Sequence, residues 1–99
     1  MLAILVHGGA GRWAPEDRVL AVAGVARAAA VGWRALTDGG SALDAVTEAV
    51  AALEDDPLFN AGTGSVLNAE GEVEMDASVM AGDTLAAGGV ACLTRVRNP

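Results

Sequence analysis

The sequence predicts an α+β fold in which two helices lie on one face of a mostly antiparallel sheet. Two observations lead to this prediction. Two segments with apolar residues at helical spacing follow a short apolar run near the start of the chain. Strand-like segments separated by turn residues make up the rest, and strands that follow a helical pair are typical of α+β proteins. The 99 residues are long enough for one domain at most.

A strand and a helix are predicted in the first third of the chain. Leu2–Val6 is a continuous apolar run that ends at the glycine-rich segment His7–Gly11, a pattern typical of a buried strand. A helix is expected from Pro15, because proline followed by two acidic residues favours a first helical turn. Asp38-Gly39-Gly40 predicts its end. Its predicted buried stripe is Val19, Val22, Ala26, Ala29, Trp33 and Leu36.

A second helix and several strands follow. Ser41 is a favourable N-cap, and Asp44 three residues later predicts a short version of the capping box. The predicted buried face of this helix is Leu43, Val46, Val50 and Leu53. The turn sequence Asn68–Gly71 separates the first two strands that we expect in the second half. The strand predictions are Ser65–Leu67, Val73–Met75, Ala77–Met80 as a continuation or a new strand, and Ala86–Val96.

The segment from Leu53 to Leu67 combines the end of the second helix with an unusual number of residues that shape the backbone. Pro57 fixes its own φ and disfavours helix at Asp56, while Gly62 and Gly64 permit angles that other residues avoid. Two interpretations remain open at this point. The segment is either an ordinary helix-to-strand connection or a shaped loop that holds an ion or a substrate.

Composition and charge narrow the class of protein. The net charge is −7, and all six basic residues are arginines scattered along the chain, which argues against nucleic-acid binding. The apolar opening lacks a charged leader and is too short to cross a membrane, and Arg27 and Arg34 interrupt the longer apolar region. A single cysteine, Cys92, fits a reducing compartment. We expect a cytoplasmic protein with no membrane partner.

The segment His7–Gly11 has several interpretations that the residues alone leave open. Gly9–Ala14 has the glycine spacing of a dinucleotide fingerprint, but a helix stands where its second strand should bring an acidic residue. A His-Gly-Gly oxyanion loop of an α/β-hydrolase would need a G-x-S-x-G elbow, which is absent. The remaining alternative is a tight turn with a hydrogen-bonded histidine.

The acidic and hydroxyl side chains offer no complete catalytic or metal-binding set. One His and one Cys cannot form a transition-metal site. Asp55 and Asp56 are either oxygen ligands for a hard cation or a solvated helix end. Glu74 and Asp76 suit the outer face of a strand better than an acid–base pair. Thr63 is interpreted as a loop residue, because no base lies near it in the sequence.

Three motifs in the same order resemble one family. They are His7–Gly11, the loop Leu53–Leu67 with its Pro-Leu-Phe-Asn-Ala-Gly core, and the segment Glu74–Met80. They resemble the plant-type L-asparaginases and isoaspartyl (β-aspartyl) peptidases, which are N-terminal-nucleophile hydrolases. The resemblance covers essentially the whole chain. It implies part of an αββα sandwich, a precursor that cleaves itself, and a threonine nucleophile that begins a second subunit beyond Pro99.

The resemblance also implies roles for residues of this chain. His7, Gly8, Gly9 and Asn60 would support the active site, and no residue of the chain would be the nucleophile. A structural sodium ion would be held by the backbone carbonyls of Leu53, Glu54, Asp56, Phe59, Ala61 and Thr63. No organic cofactor is implied. Ala81 stands where the family usually has aspartate, which questions a local polar network and not the fold.

Our hypothesis is therefore that residues 1–99 are the N-terminal portion of a threonine-dependent amidohydrolase for L-asparagine and isoaspartyl peptides. Its expected partners are a C-terminal portion with the nucleophilic threonine, a second αβ unit in a dimer, and a small-molecule or dipeptide substrate. Two alternatives remain. One is a nucleotide-binding module using Gly9–Ala14, and the other is a non-catalytic interaction fragment if the gene ends at Pro99.

Overall fold

The computed structural model describes residues 1–99 and confirms the α+β class. Its elements in chain order are helix α1 (Pro15–Thr37), helix α2 (Ala42–Glu54), strand β1 (Met75–Met80) and strand β2 (Ala87–Leu93). The two helices pack against each other, and the two strands form an antiparallel hairpin. An apolar cleft of about 550 Å³ separates α2 from one face of the hairpin, with Val50, Val79 and Val90 among its lining residues.

The helix boundaries follow the predicted local signals. The Asp38–Gly40 segment ends α1 in a Schellman motif: Gly40 N–H donates to the Ala35 carbonyl at 2.8 Å, Gly39 N–H donates to the Leu36 carbonyl at 3.2 Å, and Gly39 has φ +90°. The capping box at the start of α2 is confirmed. Asp44 N–H donates to Ser41 Oγ at 3.1 Å, and Ser41 N–H donates to Asp44 Oδ2 at 2.8 Å.

The predicted buried stripe of α1 is wrong. The residues that this helix buries are Ala21, Gly24, Ala28 and Gly32. Of the predicted stripe, Ala29 and Leu36 are half-buried and Val19, Val22, Ala26 and Trp33 are exposed. The cause is the close approach of the helices, because a methyl group on Gly32 would lie 2.7 Å from the carbonyl oxygen of Ala45 and 3.1 Å from Ala49 Cβ. Only small side chains fit such a contact, so the bulky stripe faces outward.

The predicted buried face of α2 is correct only at Leu53. This helix buries Ala45 and Ala49 against α1, while Leu43, Val46 and Val50 remain exposed. α2 therefore has two apolar faces. The alanine face packs on α1, and the valine face lines the cleft toward the hairpin.

Several strand predictions are also corrected. Leu2–Val6 forms no strand, because no backbone–backbone hydrogen bond pairs it with a neighbour. Its alternate residues Ile4 and Val6 are nevertheless half-buried, as in a strand with one covered face. Ser65–Leu67 is also no strand. Of the predicted Val73–Met75 strand only Met75 belongs to β1, which continues through the predicted Ala77–Met80 segment. The predicted Ala86–Val96 strand shortens to Ala87–Leu93.

The core lies where α1, α2 and the loop after α2 meet. Ala28, Leu53 and Phe59 form its buried cluster, and Val6 and Trp13 pack against them. The rings of Trp13 and Phe59 meet edge to face, with 5.7 Å between centroids. α1 is long and apolar enough to cross a membrane by length and composition. Core helices of soluble proteins meet the same criterion, so length and composition do not distinguish the two kinds of helix.

Candidate functional site

The loop Leu53–Leu67 begins with a turn that the side chain of Asp56 stabilises. Asp56 Oδ1 accepts a hydrogen bond from Leu58 N–H at 3.0 Å, and the Asp56 carbonyl accepts one from Phe59 N–H at 3.1 Å. These bonds reverse the chain directly after α2. The reversal carries the Phe59 side chain into the core, where it is 2% exposed. The loop is therefore shaped by its own residues and fastened by a buried aromatic ring.

The two glycines of the loop are required by close backbone approach. Neither Gly62 nor Gly64 has a positive φ, so the predicted reason for these glycines is wrong. A methyl group on Gly62 would lie 2.6 Å from the carbonyl oxygen of Glu54, and one on Gly64 would overlap the carbonyl oxygens of Pro57 and Phe59. Thr63 N–H between them donates to the Glu54 carbonyl at 2.7 Å. The loop thus closes back on the end of α2.

This closure places backbone carbonyl oxygens against the glycine segment of the loop. The Glu54 and Phe59 carbonyls, both in the ligand set implied for sodium, lie against the glycine segment that closes the loop. Hard cations take oxygen ligands, and a carbonyl has two lone pairs, so one already accepting a hydrogen bond can still bind an ion. The chain has no group of three or more His, Cys, Asp or Glu side chains that could hold a metal.

Three consecutive carboxylates at the start of the loop all accept hydrogen bonds from residues distant in the sequence. Glu54 Oε2 accepts from Asn98 Nδ2 at 2.9 Å, and Asp56 Oδ2 accepts from Arg27 at 2.7 Å. Asp55 receives both hydrogen bonds of a bidentate Arg97 guanidinium, at 2.9 and 3.0 Å. That ion pair, followed by the bond from Asn98, lowers the pKa of Asp55 below its ordinary value of 3.8.

The partners of these carboxylates are residues that the sequence reasoning missed. Arg27 binds Asp56, and Arg97 binds Asp55, whose side chain at the end of α2 is 40% exposed. Arg27, Arg97 and Asn98 were not singled out as site residues. No local signal points to them, since Arg97 and Asp55 lie 42 positions apart in the sequence.

The predicted active-site residues His7, Gly8, Gly9 and Asn60 lie on two connected segments. His7 Nδ1 accepts a hydrogen bond from Gly9 N–H at 3.1 Å, so the turn with a hydrogen-bonded histidine is present and this N–H is not free for an oxyanion. A methyl group on Gly8 would lie 2.8 Å from Phe59 Cε1. Asn60, next to Phe59, accepts from Val66 N–H at 3.0 Å through Oδ1 and ties the two arms of the loop together.

The third motif also meets the loop. Met75, the first residue of β1, is buried and lines a cavity of about 670 Å³ together with Gly62, Thr63 and Arg97. The first and third motifs of the sequence analysis therefore both lie beside the loop, which is the second. The first lies against Phe59, and the third lines a cavity together with the glycine segment.

The remaining polar positions play structural parts. Glu74 and Asp76 are both exposed, but only Asp76 lies in a strand, because Glu74 precedes β1. Asp76 Oδ1 accepts from Cys92 N–H at 2.8 Å. That bond spans an irregularity in the strand pairing where Cys92 has φ +54°. At Ala81, main-chain bonds to Leu85 and Ala86 close the hairpin turn without the aspartate usual in the family. No strand lies between α1 and α2, so Gly9–Ala14 does not open a βαβ unit.

The sequence of this chain resembles known proteins along its whole length. The sequence model of the asparaginase family matches residues 1–99. The plant-type L-asparaginase of Thermococcus kodakarensis is 59% identical over 100 residues, which cover 100% of this chain and 32% of that protein. The isoaspartyl peptidase/L-asparaginase of Homo sapiens is 56% identical over 97 residues, covering 97% of this chain and 32% of that protein. The chain spans about a third of the length of these curated relatives.

The fold and the glycine-closed loop define an α+β chain of the kind expected in an N-terminal-nucleophile hydrolase. The match over all 99 residues is more specific, and the chain belongs to the asparaginase family. Relatives in that family are asparaginases and isoaspartyl peptidases.

Proposed function

We propose that this chain is the N-terminal portion of a threonine-dependent amidohydrolase that hydrolyses L-asparagine and isoaspartyl peptides after autoproteolytic maturation. The carrying observation is that the other two motifs lie beside the loop that forms the second motif. Phe59 of the loop lies against Gly8 of the His7–Gly9 turn, and its glycine segment lines one cavity together with the start of β1. The names of the relatives supply the substrate classes.

The chemistry assigns a supporting part to this chain. A threonine hydroxyl is a weak nucleophile, and it becomes effective when its own free α-amino group takes the proton. The family resemblance implies that this threonine begins the second subunit, so we assign the nucleophile to a C-terminal portion and a supporting part to residues 1–99. The buried Phe59 fixes the backbone of its neighbour Asn60, which together with His7 would face the reacting centre. A pair of αβ units would form the active dimer.

A sodium ion in the loop Leu53–Leu67 is part of the proposal. The ion would be held by main-chain oxygens of Leu53, Glu54, Asp56, Phe59, Ala61 and Thr63. It would stabilise the closed loop and so keep Asn60 in place. An ion that binds only the folded chain raises its stability by mass action. Sodium chloride should therefore raise the thermal unfolding midpoint more than choline chloride at the same ionic strength.

The decisive experiment is hydrolysis of L-asparagine and of a β-aspartyl dipeptide. We expect no activity from the chain alone and measurable activity once it is joined to the C-terminal two-thirds of a close relative. Replacing the first threonine of that added portion with alanine is the control and should abolish activity. Activity from the 99 residues alone would contradict the proposal, because they would then contain a nucleophile.

A further inference from the structure

Two neighbouring side chains make every hydrogen bond between residues 75–99 and the preceding part of the chain. Arg97 Nε and Nη2 donate to the two carboxylate oxygens of Asp55, and Asn98 Nδ2 donates to Glu54 Oε2 and to Asp55 Oδ1 at 3.2 Å. The remaining hydrogen bonds of residues 75–99 are internal to that segment. The Arg97–Asn98 pair is thus the polar connection between the hairpin and the helices.

The pair is attached at the point where the loop closes. Its acceptors, Glu54 and Asp55, are the last residue of α2 and the residue that caps it. The backbone of Glu54 also receives the Thr63 N–H bond that closes the loop. The Glu54 side chain is buried, with the residue 6% exposed, so its carboxylate depends on Asn98 for a donor. A shift of Glu54 would move both the hairpin and the loop closure.

The exposure of the ion pair shows that its main contribution is geometric. The Arg97 side chain is 76% exposed and that of Asp55 is 40% exposed. Exposed ion pairs contribute little to stability, typically about 0 to 1 kcal/mol. A bidentate guanidinium nevertheless fixes direction as well as distance, because two parallel bonds must form together. On the opposite side, the bond from Arg27 to Asp56 restrains the loop toward α1.

We propose that Arg97 and Asn98 are positioning residues that hold the loop Leu53–Leu67 closed and set the hairpin against it. Neither residue is predicted to touch substrate. They act through Glu54 and Asp55 on the Thr63–Glu54 closure, and through it on Asn60. The relevance of this closure to catalysis rests on the proposed function, whereas the closure itself is a property of the described residues.

Amide hydrogen exchange tests this role in the chain joined to its C-terminal portion. Asn98→Ala removes the donor of a buried carboxylate, so Thr63 N–H should exchange about tenfold faster, a ratio that reports local opening. Arg97→Ala should accelerate the same amide less, and Arg97→Lys should restore part of the protection because it keeps the charge without the bidentate geometry. The amides of α1 around Ala28 should keep their rates.

The matched control is Arg18→Ala, which removes an exposed arginine of α1 that has no carboxylate partner. It should leave Thr63 exchange unchanged. Equal acceleration of Thr63 and of the α1 amides would overturn the proposal in favour of a general effect on stability, and so would unchanged Thr63 exchange in Asn98→Ala. A wild-type protein inactive on asparagine and β-aspartyl dipeptides would contradict the proposed function alone, because the exchange rates would still decide this one.

Discussion

The helix pair with its loop and the β-hairpin are stabilised in different ways. All of the ten buried residues except Met75 lie between Ala21 and Phe59. β2 has no buried residue, and it is held by its pairing with β1. Two-stranded hairpins are marginal on their own in water. The first region is therefore a packed unit, and the second depends on what it is attached to.

This difference explains where the family motifs lie. The glycine turn at His7–Gly9 and the loop Leu53–Leu67 contact the packed helices directly, through Phe59. A loop is precise enough to support a site only when rigid elements hold it. At the start of the hairpin, Met75 lines a cavity together with the loop, and after its end the Arg97–Asn98 pair bonds to Asp55 and Glu54.

The largest expected effect comes from truncating Phe59, a loop residue whose side chain is part of the buried core. Phe59→Ala should lower the free energy of unfolding by about 3–5 kcal/mol, because a buried aromatic ring leaves a cavity behind. Urea unfolding followed by far-UV circular dichroism measures the loss. Trp33→Ala is the control, since this ring is 43% exposed on the outer side of α1. A similar loss in both variants would contradict the contrast between a packed inner face and a free outer face.

A pair of glycine substitutions compares the two regions directly. Gly64→Ala should cost about 1–3 kcal/mol, because its methyl group overlaps carbonyl oxygens of the loop and the backbone must shift. Gly82→Ala, in the hairpin turn, should change stability by about 0.5 kcal/mol or less, because no atom lies within 4 Å of the added methyl group. Thermal unfolding in sodium chloride provides a second measurement. Gly64→Ala should lose the sodium-dependent part of the midpoint, and Gly82→Ala should keep it.

Local sequence signals predicted the ends of the helices. Most of the features that were predicted wrongly depend on contacts between residues far apart in the sequence. The Ser41 cap and the Asp38–Gly40 stop act within a few residues, so the sequence displays them fully. The predicted buried faces of α1 and α2 were wrong because each helix has apolar residues on two sides. Hydrophobicity alone does not show which side packs against the backbone of the other helix.

Leu2–Val6 has the composition of a strand, but strand formation also requires a neighbour with which to pair. The candidate site was located through its motifs, while its partners Arg27, Arg97 and Asn98 come from distant positions. The reason for the glycines at 62 and 64 also had to come from the structure. Close approach and positive φ both favour glycine, and the sequence does not distinguish them.

A smaller effect is expected from two side chains that each accept a hydrogen bond from a backbone N–H, one in α2 and one in the hairpin. Ser41 accepts the N–H of Asp44 in α2, and Asp76 accepts the N–H of Cys92 in the hairpin. Ser41→Ala should lower the free energy of unfolding by about 1 kcal/mol, because it removes a helix cap. Asp76→Ala should leave the helix unfolding midpoint unchanged and should accelerate exchange of the Cys92 amide. A shifted helix midpoint in Asp76→Ala would show that the regions unfold as one unit.

The smallest expected effect is a loss of stability in acid. One part of it comes from Asp44 in the cap of α2, and the other comes from Asp55 at its contact with the Arg97–Asn98 pair. Hydrogen bonds from the Ser41 side chain and then its backbone lower the pKa of Asp44 below 3.8, as Arg97 and Asn98 do for Asp55. A carboxyl with a lower pKa in the folded chain stabilises it fully above pH 3.8, and this contribution disappears as the pH falls through the folded pKa.

Unfolding midpoints recorded from about pH 5 to about pH 2 should show this decline. Asp44→Asn and Ser41→Ala should each flatten it by removing the α2 component. Asp55→Asn should also flatten the decline, because it weakens the contact with the Arg97–Asn98 pair. Of the three variants, only Asp55→Asn should also accelerate exchange of the Thr63 amide. If none of the three variants changes the pH dependence of the unfolding midpoint, neither the Ser41–Asp44 cap nor the Arg97–Asn98 contact is coupled to folding. The distinction between a locally capped helix and a hairpin held by a distant contact would then fail.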